Sequence, residues 1–327
     1  MSSLLMSAAS GGIFGAALAA SGVYSPSVII TQLQLGNFHM MKSFIAASAC
    51  SALIVYWANR AKYAKLSPRS DSSYGWFMKY DANLIGGLLH GIGMALTGAC
   101  PGTVLVQLAM GVKSAPAVAA GCILGAIAFV KSAQHIKRTT PATASAGPAP
   151  HSVQEKLGLS TNSMILLYET LCLVMIGAAT YLGPTRDYWL NPIIGGLLIG
   201  VAQATSVLFT RKTLGVSGAY EDIGKYIWSV VDGTAGPGLS NIVFASGVIG
   251  GAKIISQFIP AASEAGGPVI NPLAALVGGF TMIFGARMAG GCASGHGISG
   301  MATMGLSSYI TVAGMFGGGI IWTLLFR

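Results

Sequence analysis

Two cysteines stand in glycine-rich surroundings where a thiol can meet a small ligand. Cys100 lies in GACPGTV (98–104) and Cys292 lies in GGCASGHG (290–297). The segment 82–112 around the first motif contains no Asp, Glu, Lys or Arg. A thiol is a soft, polarisable donor and a weak acceptor, which suits a sulfur-bearing anion better than a hard oxyanion such as phosphate. The pattern therefore indicates binding of a sulfur compound.

The composition is that of a membrane protein. Of 327 residues, 8% are charged and 53% are hydrophobic, whereas a soluble domain carries roughly 25% charged residues. The charge-poor runs allow about eight to ten helices that span or partly span a bilayer, at roughly 20 residues per span. We therefore predict an all-α integral membrane protein, multi-pass in the cell membrane, with the lipid bilayer as its surroundings.

The net charge of +9 does not predict a nucleic-acid partner. The basic residues cluster in short segments between apolar blocks, which is a topology signal. One such cluster contains Arg60, Lys62, Lys65, Arg69 and Lys79.

The chain contains four similar stretches, each of which opens with a Gly pair. They begin at Gly11, Gly86, Gly195 and Gly278. The residues fourteen positions further on are Ser25, Cys100, Phe209 and Cys292. The second and fourth stretches thus place a cysteine at the same offset, which indicates one motif duplicated.

These stretches fall two in each half of the chain. Between the halves runs TTPATASAGPAPHS (139–152), whose small and Pro-rich composition is typical of a flexible connector. We therefore predict two pseudo-symmetric membrane halves, 1–135 and 160–327, joined by a linker over 136–159.

The glycine clusters around both cysteines predict interruptions of the helices. Non-helical backbone at membrane depth is tolerated only where it is buried in protein or lines a polar cavity. Pro101 suits the first turn of a helix, which would place Cys100 at that helix's positive end, facing an anion. Each half should therefore contain Gly-rich broken or re-entrant helix–loop–helix elements that face a transport path.

The two motifs and their paired arrangement resemble the YeeE/YedE family of sulfur-transport membrane proteins. The most specific segment is GARMAGGCASGHGISG (285–300), supported by GIGMALTGACPG (91–102), and the resemblance covers nearly the whole chain. It implies thiosulfate uptake through a central constriction in which cysteines pass the anion along by S–H to sulfur hydrogen bonds. On this sequence those cysteines are Cys100 and Cys292, while Ser25 stands where family members often have a further cysteine.

The predicted substrate-binding set combines the motif residues with nearby polar groups. It comprises Cys100, Cys292, Gly98, Pro101, Gly102, Gly291, Gly295, His296, Ser25 and Arg287. His296 either lines the path or bonds to a backbone carbonyl. Arg287 either draws in a dianion or pairs with a buried acid, for which Glu169 is a candidate. No metal is predicted, because a structural zinc needs four ligands and no second Cys/His cluster accompanies Cys292 and His296.

These observations favour a transporter that uses no cofactor over an enzyme. The alternative is a membrane sulfurtransferase that carries sulfane sulfur as a Cys persulfide, which would require an activated thiolate. The sequence lacks the phosphate-binding pattern GxxxxGK[ST]. Movement must then follow a gradient, couple to an ion, or depend on a partner that consumes substrate inside, for which a cytoplasmic sulfurtransferase is a candidate.

Overall fold

The computed structural model describes residues 2–139, 152–184, 189–259 and 269–326. This part of the chain is built from α-helices, with one π-helix at Ser294–Gly300. The α-helices are α1 Ser2–Ala20, α2 Pro26–Leu33, α3 His39–Arg60, α4 Asp81–Thr97, α5 Pro101–Met110, α6 Ala115–Thr139, α7 Val153–Leu157, α8 Thr161–Leu182, α9 Pro192–Thr210, α10 Ser217–Asp232, α11 Ser240–Ile255, α12 Pro272–Met288 and α13 Leu306–Phe326.

The described residues contain seven helical segments that are long and apolar enough to cross a membrane. They are Ser3–Ala20, His39–Arg60, Asp81–Met110, Ala115–Ala133, Thr161–Leu182, Pro192–Thr210 and Leu306–Phe326. Helices α11 and α12 are shorter and also apolar. The chain is thus an all-α, multi-pass membrane protein, as the composition predicts, while the pseudo-symmetry of its halves stays a prediction.

The predicted linker over 136–159 is only partly covered, since residues 140–151 lie outside the described residues. Helix α6 continues to Thr139 before this gap. After it, Ser152 caps α7 by accepting a hydrogen bond from the Glu155 N–H, and Ser152 forms a β-bridge with Gly305. The proposed division into two halves stays a prediction.

Close helix packing depends on glycines that let backbones touch. At Gly15 of α1, a Cβ would lie 2.0 Å from the carbonyl oxygen of Val248 in α11, and at Gly251 of α11 it would lie 1.9 Å from the Gly12 oxygen. Small residues at such contacts are the usual means of helix association in membranes, where apolar side chains gain nothing by leaving lipid.

Four helices end in short loops that lead into a second helical element. Loop A (21–25) joins α1 to α2, loop B (98–100) joins α4 to α5, loop C (211–216) joins α9 to α10, and loop D (289–293) joins α12 to the π-helix. Phe209, the residue at the fourteen-residue offset of the third stretch, lies in the last turn of α9, so loop C begins after it. Between Val201 and Thr210 the sequence contains no Gly or Pro that would end the helix sooner.

Loops B and D follow the C-terminal ends of two tightly packed helices that run in opposite directions. Helices α4 and α12 are antiparallel: a Cβ at Gly86 would lie 2.6 Å from the Ala289 nitrogen, and one at Gly93 would lie 2.6 Å from the Gly278 oxygen. Each loop follows the C-terminal end of its helix, and α4, with 17 residues, is about 25 Å long at 1.5 Å per residue. Loop B divides the apolar helical segment Asp81–Met110 into α4 and α5.

Candidate functional site

Loops A and B have the same local structure and lie against each other. Ser25 is the N-cap of α2 and is followed by Pro26, just as Cys100 is the N-cap of α5 and is followed by Pro101. Gly98 has φ +57°, and a Cβ there would lie 2.8 Å from the Pro26 Cα. The position of Ser25 thus corresponds to that of Cys100 in structure as well as in repeat offset.

A buried glutamine joins these two loops. The Gln107 side-chain nitrogen donates to the Tyr24 carbonyl at 2.7 Å and to the Gly98 carbonyl at 2.9 Å. Gln107 was not among the predicted site residues, although an amide in a charge-free apolar segment is a signal, since a buried polar group requires partners.

A second buried glutamine joins loops C and D. The Gln203 Oε1 of α9 accepts from the Leu214 N–H at 3.1 Å and from the Ser299 hydroxyl at 3.2 Å. Ser299 also donates to the Leu214 carbonyl at 2.8 Å. Gln203, which sequence analysis also missed, thus holds loop C against the π-helix that follows loop D.

Cys100 faces a cavity from the start of α5. Its N–H donates to the Thr103 hydroxyl at 2.7 Å, and the N–H groups of Gly102 and Thr103 interact with its side chain. A helix N-terminus carries partial positive charge, which favours an anion at this point. The cavity has a volume of about 30 Å³. Its lining is mainly apolar and includes Phe14, Leu18, Met94 and Met315, together with Cys100 and the hydroxyl-bearing Ser294.

Cys292 has polar neighbours. It is 2% exposed, and its sulfur lies 3.3 Å from the Ser294 hydroxyl. The Ser217 hydroxyl and N–H also interact with Cys292. Because the Ser217 oxygen accepts a hydrogen bond from Arg287 Nη1 at 3.1 Å, its own hydroxyl hydrogen is available to the Cys292 sulfur. The Cys292 S–H is then left to donate elsewhere.

Arg287 forms an ion pair within the protein. Its Nη2 contacts Glu221 of α10, and Glu221 also pairs with Lys225 at 2.6 Å. The expectation of a buried acid partner is therefore met, but Glu169 was the wrong candidate for that acid. The sequence spacing does not indicate this pairing. Glu221 lies in α10 and Arg287 lies in α12, 66 positions further on, and only the packing of these helices brings the two side chains together.

Arg69 enters the site from the connection between α3 and α4. Its Nε donates to the Gly295 carbonyl at 2.6 Å and its Nη1 to the Gly290 carbonyl at 3.2 Å. Burial lowers the pKa of the guanidinium, and the nearby Cys292 opposes that shift; an arginine stays protonated in either case. Sequence analysis treated Arg69 only as part of a basic cluster, and nothing in its neighbouring residues marks it as different.

His296 has the second of its two predicted roles, a bond to a backbone carbonyl. Its Nε2 lies 3.1 Å from the Ala289 carbonyl and its Nδ1 lies 2.9 Å from the Ser308 hydroxyl. A carbonyl only accepts, so Nε2 carries the proton and Nδ1 accepts from Ser308. His296 thereby fixes the shape of loop D, and a Cβ at Gly291 would lie only 2.9 Å from its ring.

The predicted site residues form two adjacent clusters. The first, in loops A and B and the start of α5, contains Ser25, Gly98, Cys100, Pro101 and Gly102; the second, in the end of α12, loop D and the start of the π-helix, contains Arg287, Gly291, Cys292, Gly295 and His296. Tyr220 connects the clusters: its hydroxyl donates to the Pro101 carbonyl at 3.0 Å, and it lies near both cysteines. Cys100 lines the cavity itself, and Ala293 and Ser294, the two residues after Cys292, line it from the second cluster.

Comparison with known proteins gives matches along most of the chain. A sequence profile described as "Sulphur transport" matches residues 20–321. The chain is 24% identical over 321 residues, 92% of either protein, to the thiosulfate transporter TsuA of Spirochaeta thermophila. It is also 30% identical over 131 residues to a probable transporter of Xylella fastidiosa strain 9a5c, which covers 39% of this chain and 86% of that protein.

Proposed function

The chain belongs to the sulphur transport family, and from this premise we propose that it carries thiosulfate, or a closely related sulfur anion, across the membrane unchanged. The observation that carries this proposal is the similarity to a protein named as a thiosulfate transporter over 92% of both chains. Cys100, which lines the cavity, and Cys292, next to the lining residue Ala293, supply thiols suited to that substrate.

The thiols act as successive hydrogen-bonding stations in this proposal. At loop D, Ser217 donates to the Cys292 sulfur, so that the Cys292 S–H donates to the terminal sulfur of thiosulfate. At loop B, the Cys100 S–H does the same, and the positive end of α5 stabilises the charge of the anion. Ser25 supplies a hydroxyl at the equivalent point of loop A. No covalent bond forms or breaks.

The glycines and Pro101 shape the path rather than bind the anion by side chains. Gly98, Gly102, Gly291 and Gly295 allow the loops to approach the cavity closely, and Pro101 fixes the start of α5 beside Cys100. In this proposal net uptake is driven by consumption of thiosulfate inside the cell. A cytoplasmic sulfurtransferase is the partner expected from the sequence.

The test is uptake of ³⁵S-labelled thiosulfate into proteoliposomes, followed by identification of the labelled anion inside. Wild-type protein should accumulate intact thiosulfate, whereas Cys100→Ala and Cys292→Ala should lose most uptake. Cys122→Ala is the matched control, because Cys122 is also buried and near Tyr220 but lies in the packed helix α6.

Two outcomes would contradict the proposal. Full uptake by a Cys100→Ala, Cys292→Ala double variant would show that transport does not require the two thiols. Release of sulfite together with label retained on a cysteine would instead support the sulfurtransferase alternative.

A further inference from the structure

Resting on the proposed function, we propose that Arg69 binds the oxygen end of the substrate while Cys292 binds its terminal sulfur. Arg69 belongs to neither cysteine motif. It lies in the segment 61–80 between α3 and α4, and it reaches loop D across 226 positions of sequence.

The guanidinium of Arg69 is held in a fixed orientation with one end free. Nε and Nη1 donate to the carbonyls of Gly295 and Gly290. Among the residues that the structure describes, Nη2 has no hydrogen-bond acceptor. An arginine whose plane is already fixed loses little side-chain freedom when its remaining N–H groups bind an oxyanion.

Glycines let the guanidinium end of Arg69 lie close to the backbone. A Cβ at Gly215 of loop C would lie 3.3 Å from Nη2, and a Cβ at Gly295 of the π-helix would lie 3.0 Å from the same atom. Side chains at these two positions would crowd the Nη2 group. The position of Nη2 thus depends on the absence of side chains at Gly215 and Gly295.

The charges around Cys292 do not cancel. Arg287 is paired with Glu221, but within the described ranges no carboxylate lies within ion-pair distance of Arg69. The two arginines are close enough for their positive charges to interact. A partly buried cation without a counter-ion is costly, and an anion bound beside Nη2 offsets that cost.

Each end of thiosulfate matches one of these two groups, the Cys292 thiol and the Arg69 guanidinium. Its terminal sulfur is a soft acceptor suited to the Cys292 S–H, and its oxygens suit the planar N–H groups of a guanidinium. The cavity at Cys100, by contrast, has a mainly apolar lining. The loop D station is therefore where the charge of the anion is recognised.

Equilibrium binding to the purified full-length chain tests this role with two ligands. Thiosulfate is a dianion, and methanethiosulfonate is a monoanion that keeps the terminal sulfur but has a methyl group in place of one oxygen. In Arg69→Gln, thiosulfate should bind about 10- to 100-fold more weakly, the range expected for lost charge-assisted hydrogen bonds, and methanethiosulfonate should lose clearly less. Arg69→Lys should fall between Arg69→Gln and wild type for thiosulfate.

The control is Arg60→Gln, since Arg60 belongs to the same basic cluster but lies exposed at the end of α3, where it bonds to the Tyr56 hydroxyl. It should bind both ligands like wild type. A second variant, Gly215→Ala, adds a methyl group beside Nη2 and leaves both carbonyl bonds of Arg69 in place. It should also weaken thiosulfate more than methanethiosulfonate, and it tests the proposal even where Arg69→Gln does not fold.

The outcomes separate this inference from the proposed function. Equal losses for the two ligands, or unchanged thiosulfate binding in Arg69→Gln and Gly215→Ala, would show that Arg69 only holds loop D in shape and would overturn the inference alone. A wild-type protein that binds neither ligand would overturn the proposed function and this inference together.

Discussion

Cys100 and Cys292 differ in what surrounds each thiol. Cys292 lies among the hydroxyls of Ser217 and Ser294, close to charged side chains, whereas Cys100 borders an apolar-walled cavity. A thiol that accepts hydrogen bonds from hydroxyls keeps its own S–H for a ligand. The duplicated motif therefore places the same functional group in two different electrostatic surroundings.

The Arg287–Glu221 pair should matter for stability because each partner is only about one-sixth exposed, at 16% and 17%. Glu221→Gln should lower the free energy of unfolding by about 3–5 kcal/mol, since it leaves a largely buried arginine without its carboxylate. The measurement is thermal unfolding in detergent. An Arg287→Met, Glu221→Leu double variant should be closer to wild type, because it removes both charges. Equal destabilisation by the two variants would mean that the ion pair itself is the main source of stability.

At the scale of elements, loop B is determined by the residues on either side of Cys100. Gly98 ends α4 in the left-handed region at φ +57°, and Pro101 begins α5. The chain thereby changes from one helix to the next within three residues, which puts an N-cap thiol between the two helices of the apolar segment Asp81–Met110. The same arrangement, an N-cap residue followed by a proline, recurs at Ser25 and Pro26 between α1 and α2.

Gly98→Ala should reduce both stability and uptake. Any residue with a Cβ is strained at this φ, by about 1–2 kcal/mol, and here the Cβ would also meet Pro26 at 2.8 Å and push loop A from loop B. Gly111→Ala is the matched control: Gly111 also caps a helix, at φ +76°, but nothing lies within 4 Å of its added Cβ. It should show the backbone strain alone, as a small fall in melting temperature with uptake retained. If the two variants behave alike, contact between loops A and B is not needed for transport.

At the scale of the whole molecule, the helices bring loops A, B and D to one cavity. Gln107 joins loops A and B, Gln203 joins loops C and D, and Tyr220 connects the pairs through the Pro101 carbonyl. The cavity of about 30 Å³ offers room for about two or three water molecules, at roughly 10–15 Å³ each. An anion that passes here must lose most of its hydration shell and depends on the groups along the wall.

Competition between anions for uptake should therefore follow softness rather than charge. Unlabelled selenosulfate should inhibit uptake of labelled thiosulfate at least about tenfold more strongly than sulfate, because sulfate has only hard oxygens and a thiol compensates poorly for their lost hydrogen bonds with water. The measurement is the inhibition constant of each anion in proteoliposomes. Equal inhibition by sulfate would contradict a path that selects through thiols.

Much of this architecture is determined locally and so could be predicted from the sequence. Long apolar runs predict membrane helices, because a segment in lipid must be apolar and must satisfy its own backbone groups. Gly98 and Pro101 predict the break at Cys100, because both act on the backbone at their own positions. The structure places Ser25, Cys100 and Cys292, which share the fourteen-residue offset, in loops A, B and D, whereas Phe209 at the same offset lies in the last turn of α9.

Only the tertiary structure decided which distant polar groups meet these loops. Arg69 approaches Cys292 from a connection that looks like any basic membrane-flanking segment, Glu221 rather than Glu169 pairs with Arg287, and Gln107 and Gln203 each join two loops. Such contacts depend on how helices far apart in sequence pack side by side. The spacing of residues along one chain segment does not predict these contacts. Hydrogen bonds and charges act through space, between groups that only folding brings together.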